Sequence, residues 1–502
     1  MLTRRSALGA IAAGAASCGR TEPSRPANLV FIISDDHRWD VMGAAGNALA
    51  QTPNLDRLAA QGVRFANHYV NYPLCTPSRQ SVFTGLLPHA SGVSTFGTAL
   101  SEDRRTLADQ LKSAGYRTAA FGKMGFMQDA YTGIHGLDLA MVEGVINASW
   151  REEVQPKPPE PGIKTKPRAR AHQDPTRDWL NCDNLPSPYY AADMPSSHTA
   201  RKAVEYLEQH GGEPFAMWVS FGEPHNPFDF PIEYAGRYNS ADFELPPMGT
   251  DDPAHIPLIL RELTDDDRRG TLAAYYTSAA FLDENVGVVT DALGRLGIDD
   301  NTLVVYWGDH GFVLGEHGRI YKHCLYEPAI RSPLLMSCPG RVRSGVADDF
   351  VESVDIPATI LDVLGVDALP SMQGRSLVPY LEQRESANPR DHIFSEFLHN
   401  EEACVRTRRW KFTHCTGKRF RNDGYETEDP TPGRYARLYD MEGDPGELVD
   451  VSTGNPAVVG QMTELLLARF RQTHPEAADE AAGDPRGILD WYLRPRDESR
   501  GI

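Results

Sequence analysis

The sequence predicts an α/β fold: a large mixed, mostly parallel sheet flanked by helices, with a smaller C-terminal α+β domain of short antiparallel strands and a helix. Two observations carry this. Through residues 26–384, short apolar runs ending in polar residues or glycine alternate with helical segments. Over 385–502 the runs become short and clustered, and a single long helical segment follows them. At 502 residues, with 41% apolar and 24% charged side chains, the chain has ample material for a buried core.

The elements follow in order. Residues 28–33 are a continuous, partly β-branched apolar run closed by Ser34-Asp35-Asp36. This reads as a buried parallel strand with polar groups at its C-terminal end. Residues 54–61 read as a helix and 63–70 as a strand. A helix over 106–114 stops at Gly115, and a strand over 118–121 leads to Lys123. Residues 197–210 are helical, 214–221 a strand, and 264–296 one long helix. The strand 302–307 then opens into Gly308-Asp309-His310-Gly311. Residues 151–195 break the rhythm with Pro158-Pro159-Glu160-Pro161 and a charged stretch over 164–170. A surface insertion is expected there, with a substrate-shaping loop as the functional alternative. In the C-terminal domain, 392–397, 404–406 and 411–414 read as strands and 456–472 as a helix.

Acidic residues outnumber basic ones, 69 to 50, for a net charge of −19. That balance argues against a nucleic-acid partner, which requires a basic footprint. It leaves room for an anionic ligand, because a local group of cations can attract one inside a negative protein. Residues 1–25 carry Arg4-Arg5, a short apolar run and Ala15-Ala16-Ser17-Cys18. This pattern predicts an export signal ending in a lipoprotein box, with Cys18 lipidated and the mature chain periplasmic or membrane-anchored. The alternative is an ordinary signal peptide with Cys18 incidental. Of seven cysteines, Cys404 and Cys415 flank a predicted hairpin and are candidates for a disulfide.

Several segments carry candidate chemistry. Asp35-Asp36 and Asp309-His310 each follow a predicted strand, and parallel strands bring such ends to one edge of a sheet. Adjacent carboxylates repel and call for a cation, and three carboxylates with an imidazole suit Ca²⁺, Mg²⁺ or Mn²⁺. A solvated turn is the reading of Asp35-Asp36 taken alone. Cys75 lies in Cys75-Thr76-Pro77-Ser78-Arg79-Gln80-Ser81-Val82-Phe83-Thr84-Gly85. Alone it reads as a buried small hydrophobe, a catalytic thiol or half of a disulfide. Lys123 follows Phe121-Gly122, Lys322 follows Gly318-Arg319-Ile320-Tyr321, and His225 lies in Glu223-Pro224-His225-Asn226-Pro227.

The Cys75 stretch resembles the signature of type I, formylglycine-dependent sulfatases of the alkaline phosphatase superfamily. The other segments match that family's pattern in chain order, as does Leu438-Tyr439-Asp440 with Asp444-Pro445-Gly446-Glu447. The resemblance implies that Cys75 is oxidised to formylglycine by a maturation enzyme, and that the hydrate of this aldehyde is the nucleophile. It implies that Asp35, Asp36, Cys75, Asp309 and His310 ligate one divalent metal, usually calcium. It further implies that Arg79 supports the nucleophile, that Lys123 and Lys322 hold sulfate oxygens, and that His225 protonates the leaving oxygen. The substrate would be a sulfate monoester, on a small molecule or a sulfated glycan. One position departs from the pattern: Gly125 stands where the family carries a histidine. His68, His135 and His323 are the candidates to replace it. This gap keeps two alternatives open, a phosphonate monoester or phosphodiester hydrolase of the same superfamily and a degenerate homologue that binds sulfated glycan.

Overall fold

The computed structural model describes residues 27–126, 133–249, 252–384, 388–417, 435–478 and 484–494. The expected export signal, with Cys18, lies outside them. The main-sheet strands are β1 (Asn28–Ser34), β2 (Gly62–Tyr69), β3 (Arg117–Gly122), β4 (Leu139–Val142), β5 (Phe215–Ser220) and β6 (Thr302–Gly308). After a short ribbon of β7 (Val313–Leu314) and β8 (Ile320–Tyr321), β9 (Leu334–Ser337) and β10 (Gly345–Glu352) complete it. The order across the eight strands is β10-β2-β9-β6-β1-β5-β3-β4. The central pairs β6–β1, β1–β5, β5–β3 and β3–β4 are parallel, while β9 runs antiparallel to both neighbours. The sheet is therefore mixed and mostly parallel, as the alternation predicts.

Burial accounts for the strand sequences. Every residue of β1, β5 and β6 is buried, because helices cover both faces, and so these strands read as unbroken apolar runs. At the edge, β10 (Gly-Val-Ala-Asp-Asp-Phe-Val-Glu) has no such run. It carries Asp348-Asp349 at a register shift, and charges with a bulge are how sheet edges avoid further pairing. For that reason β10 carries no strand signal in the sequence.

The C-terminal strands β11 (His392–Phe397), β12 (Glu402–Thr407), β13 (Trp410–Cys415) and β14 (Tyr435–Asp440) form an antiparallel sheet in that order. The helix Pro456–Thr473 lays Met462, Leu466 and Phe470 into one core with Phe394, Cys404 and Phe412. That core also contains Tyr69 and Val70 from the end of β2, so the two sheets share it. The disulfide expected between Cys404 and Cys415 is not formed; both are free thiols. The register sets Cys404 opposite Thr413 and Cys415 opposite Glu402. Diagonal neighbours of this kind stand about 7–8 Å apart, beyond a disulfide's reach.

The 151–195 segment is a surface insertion only over its proline-rich first part. Trp179, Leu180 and Cys182 are buried and share a cluster with Phe228, Phe230 and Tyr275. Large apolar side chains behind the prolines draw this half of the segment into the body.

Candidate active site

In-register pairing assembles the site. Ser34 on β1 pairs with Gly308 on β6, so Asp35-Asp36 and Asp309-His310 leave the sheet at the same height. Ile33 and Gly122 both pair with Ser220. Hence Lys123 after β3 and the loop bearing His225 after β5 emerge at the same edge. Four adjacent carboxyl ends of strands thus converge, the usual location of a site in such a sheet.

Cys75 is the first residue of the helix α2 (Cys75–Thr84), all ten residues of which are buried. Pro77 fits the first turn, where its missing N–H is no loss. Arg79, one turn on, lies on the same face as Cys75. Gly85 ends the helix in the left-handed region at φ +70, and a Cβ there would meet Met372 Cγ at 2.5 Å. Much of the Cys75 stretch therefore builds this helix.

The thiol sits among the predicted site residues. Cys75 Sγ is 3.2 Å from Asp35 Oδ1, 3.3 Å from His310 Nε2 and 3.2 Å from Lys322 Nζ. Asp36 Oδ1 accepts from Lys322 Nζ at 2.6 Å and lies 3.2 Å from His310 Nε2. Asp309 Oδ1 accepts the Asp36 backbone N–H at 3.0 Å, and Asp309 Oδ2 accepts from Arg79 Nε at 2.8 Å. Lys123 Nζ bonds Asp35 Oδ2, and His225 Nε2 lies 3.9 Å from Asp36 Oδ2. Every catalytic and metal residue expected from the sequence is thus in one cluster. Exposure shows its open side: Lys123 and His225 keep 30% and 27% of their side chains accessible, whereas the three aspartates, Arg79 and His310 keep 0%.

The charges are not balanced evenly. Burial alone would raise Asp35, but Lys123, His225, Arg79 and Lys322 outweigh it and hold this carboxyl well below its ordinary range. Asp36 goes the other way. Burial pushes it up to about 8 although Lys322 and His310 oppose the shift, while Asp35 and Cys75 add to it. Its Oδ2 is buried without a hydrogen-bond partner. Burial and Lys322 lower His225 well below the ordinary imidazole value. A carboxylate pair with an orphaned buried oxygen, beside a third carboxylate and an imidazole, fits a divalent cation. Carboxylate oxygens, one imidazole nitrogen and the thiol lie within 4.8 Å of one another in two overlapping groups, Asp35-Asp36-Cys75-His225 and Asp35-Cys75-Asp309-His310.

Three supporting residues carry no signal in the sequence. Ser220 Oγ accepts from Arg79 Nη1 at 2.7 Å. Tyr275, about a third of the way along the helix Asp265–Leu296, donates to the Asp36 carbonyl at 2.6 Å. Glu143 accepts the backbone N–H of Met124 and Gly125 at 2.7 and 2.6 Å. Only the positive φ of Asp36, 64°, marks the turn that Tyr275 secures, and φ is not read from sequence.

A family model described as Sulfatase matches residues 27–366. The chain belongs to the sulfatase family. It is a sulfuric ester hydrolase of the alkaline phosphatase superfamily. A second model, N-sulphoglucosamine sulphohydrolase, C-terminal, matches residues 315–472. The chain is 28% identical to an arylsulfatase of Clostridium perfringens over 84% of its own length and 90% of that protein's. It is 27% identical to an N-acetylglucosamine-6-O-sulfatase of Bacteroides thetaiotaomicron, over 94% and 91% respectively. Among solved structures it resembles a phosphonate monoester hydrolase from Silicibacter pomeroyi with a TM-score of 0.74, at 24% identity, covering 89% of this chain and 95% of that one. That likeness shows the shared fold.

The resemblance calls for a histidine at position 125, and the backbone there suits the glycine that this sulfatase carries. Gly125 has φ +75, and a Cβ there would stand 3.2 Å from Arg79 Cδ. A histidine would be strained in this backbone and would press on the arginine. None of the three candidate replacements is a hydrogen-bond partner of the Cys75 thiol, whose partners are Asp35, His310 and Lys322. His68 is buried and bonded to Ser332 O at 3.0 Å and Ser353 Oγ at 3.1 Å. His135 packs against Phe126, and His323 stacks on Phe397 with ring centroids 5.7 Å apart.

Proposed function

We propose that the chain hydrolyses a sulfate monoester, including one borne on a sulfated glycan, with the hydrate of a formylglycine derived from Cys75 as the nucleophile. The observation that carries this reading is the setting of Cys75: a buried helix N-terminus facing three carboxylates, His310 and Lys322. A buried thiol ringed by acids is a poor nucleophile. Burial and Asp35 both push it up, against the pull of Lys123 and Lys322. An oxygen nucleophile at the same position suits the hard donors around it.

Asp35, Asp36, Asp309, His310 and residue 75 would hold one divalent cation, calcium by its preference for oxygen, with Mg²⁺ and Mn²⁺ as alternatives. Bound there, the cation supplies Lewis acidity toward the oxygens of residue 75 and of the sulfuryl group. Lys123 and Lys322 neutralise the sulfuryl oxygens. Arg79, anchored by Asp309 and Ser220, keeps α2 fixed against the acidic strand ends. His225, at the open side, gives its proton to the leaving oxygen. The incoming anionic ester offsets Lys322 and raises the proton affinity of this imidazole, which takes up its proton from solvent. The sulfated hydrate of residue 75 then loses a proton from its second hydroxyl and collapses to the aldehyde, expelling inorganic sulfate; water restores the hydrate, so the net products are inorganic sulfate and an alcohol.

The tryptic peptide 65–79, from protein purified out of its native host, tests the reading by mass. Formylglycine at residue 75 is expected; unmodified cysteine at full occupancy rules out the nucleophile. Metal binding has a separate readout. Chelation should lower the thermal midpoint by several degrees and calcium should restore it, since a ligand specific for the folded state stabilises it. An unchanged midpoint would count against the metal.

The N-acetylglucosamine-6-O-sulfatase relative supports a sulfated glycan as substrate. The N-terminal sequence supports export and a lipid anchor at Cys18. Among the described residues no helix is long and apolar enough to cross a membrane. Gly125, where the resemblance calls for a histidine, leaves a second reading, phosphonate monoester or phosphodiester hydrolysis, which aryl phosphonate and aryl phosphodiester assays distinguish.

A further inference from the structure

The loop bearing His225 is held from outside the sheet. Within it, His225 N–H donates to Gly222 O and Phe228 N–H to His225 O, each at 3.0 Å. The loop closes on Phe228, which packs between Tyr275 and Phe312 with centroids 5.6 and 5.9 Å away. The remaining support comes from the insertion. Lys166 Nζ donates to the Pro227 carbonyl at 2.9 Å and pairs with Asp229 Oδ1 at 2.7 Å. Its own N–H donates to Pro186 O at 2.9 Å, and Ser187 N–H reaches Phe230 O at 2.9 Å. Ser278 Oγ, on the long helix, bonds the Asp229 carbonyl at 2.8 Å. The Lys166 side chain keeps only 6% of its surface accessible. An ammonium so enclosed is costly unless its bonds are made, so its two contacts fix its place.

We propose that Lys166 is a positioning residue for acid catalysis: its bonds to Pro227 and Asp229 set the loop so that the His225 imidazole meets the leaving oxygen. This rests on the reading of His225 as the acid. Lys166 touches neither substrate nor the reacting atoms. It acts through a carbonyl two residues from His225, and a shift of that carbonyl moves the imidazole it follows. Proton transfer tolerates little displacement, because the donor must lie within hydrogen-bond reach.

The consequence is selective. A sulfate ester of 4-nitrophenol releases a stable phenolate and needs little protonation, whereas an ester of an alkyl or sugar alcohol needs a full proton. Lys166→Met should lower kcat/KM on an alkyl sulfate by about 10- to 100-fold while changing 4-nitrophenyl sulfate by less than about threefold. Lys166→Arg, which keeps a cationic donor, should recover most of the loss. His225→Ala is the reference and should show the same selectivity more strongly. Should His225→Ala lose both substrates equally, the acid assignment falls and this inference with it. If His225→Ala is selective but Lys166→Met lowers both substrates alike, or neither, the positioning role is wrong and the acid assignment stands. Lys166→Gln, too short to reach Pro227, serves if the methionine variant fails to fold, under the same criteria.

Discussion

Cys75→Ala is expected to abolish sulfate release, a loss of about a thousandfold or more, because in the proposed mechanism the attacking oxygen is carried by residue 75 and alanine has none. The side chain is small and enclosed, so the fold should survive: its neighbours Asp35, His310 and Lys322 stay paired through Asp36 and Arg79. A purified variant with a near-native thermal midpoint and no turnover is the expected result. Turnover within tenfold of wild type would show that residue 75 is not the nucleophile.

The second large effect concerns stability. A buried charge network closes the seam between the two sheets. Lys411 on β13 lies 2.6 Å from Glu447 Oε1 and 3.6 Å from Glu327 Oε2. Arg406 on β12 lies 3.3 Å from Glu327 Oε1, which Tyr69 at the end of β2 also bonds. Glu447 Oε2 in turn accepts the Glu327 N–H at 2.6 Å. Two cations meet two carboxylates, and Lys411 is fully buried. Lys411→Met leaves the carboxylates in excess, and breaking such a pair costs about 3–5 kcal/mol. A drop in unfolding free energy of that size is expected in denaturant titration. Lys411→Met combined with Glu447→Gln should regain part of it. A loss below about 1 kcal/mol, the range of exposed pairs, would show that the seam is solvated.

This network also gives the C-terminal sequence pattern a cause. Glu447 closes the segment that begins at Leu438, and it is there to receive Lys411 and the Glu327 backbone. The sequence displayed the acid but not its partners, which lie 36 and 120 residues away. The same distinction runs through the molecule. Strands 28–34 and 302–308 were legible because double-sided burial writes an unbroken apolar run. The acids after them were legible because such residues seldom end two buried strands without a task. Strand β10 was hidden by its edge charges, and Tyr275 by a helix in which it is one apolar residue among many. Lys166 was hidden in a stretch whose prolines and charges suggested a surface insertion or a substrate-shaping loop, and neither reading singles out one lysine as buried. Register, φ and distant pairing decided these positions, and none of them is written locally.

Burial of α2 has a consequence in time. In the folded chain Cys75 and the nine residues after it are enclosed, and Asp309 and Lys322, which close over them, come more than 230 residues later. Under the proposed function, an enzyme that grips this segment to oxidise the thiol would reach it only before those later residues arrive. Maturation and folding would then compete. A chain that folded first would be sealed in the cysteine form, and the active fraction of a preparation would record the outcome of that race.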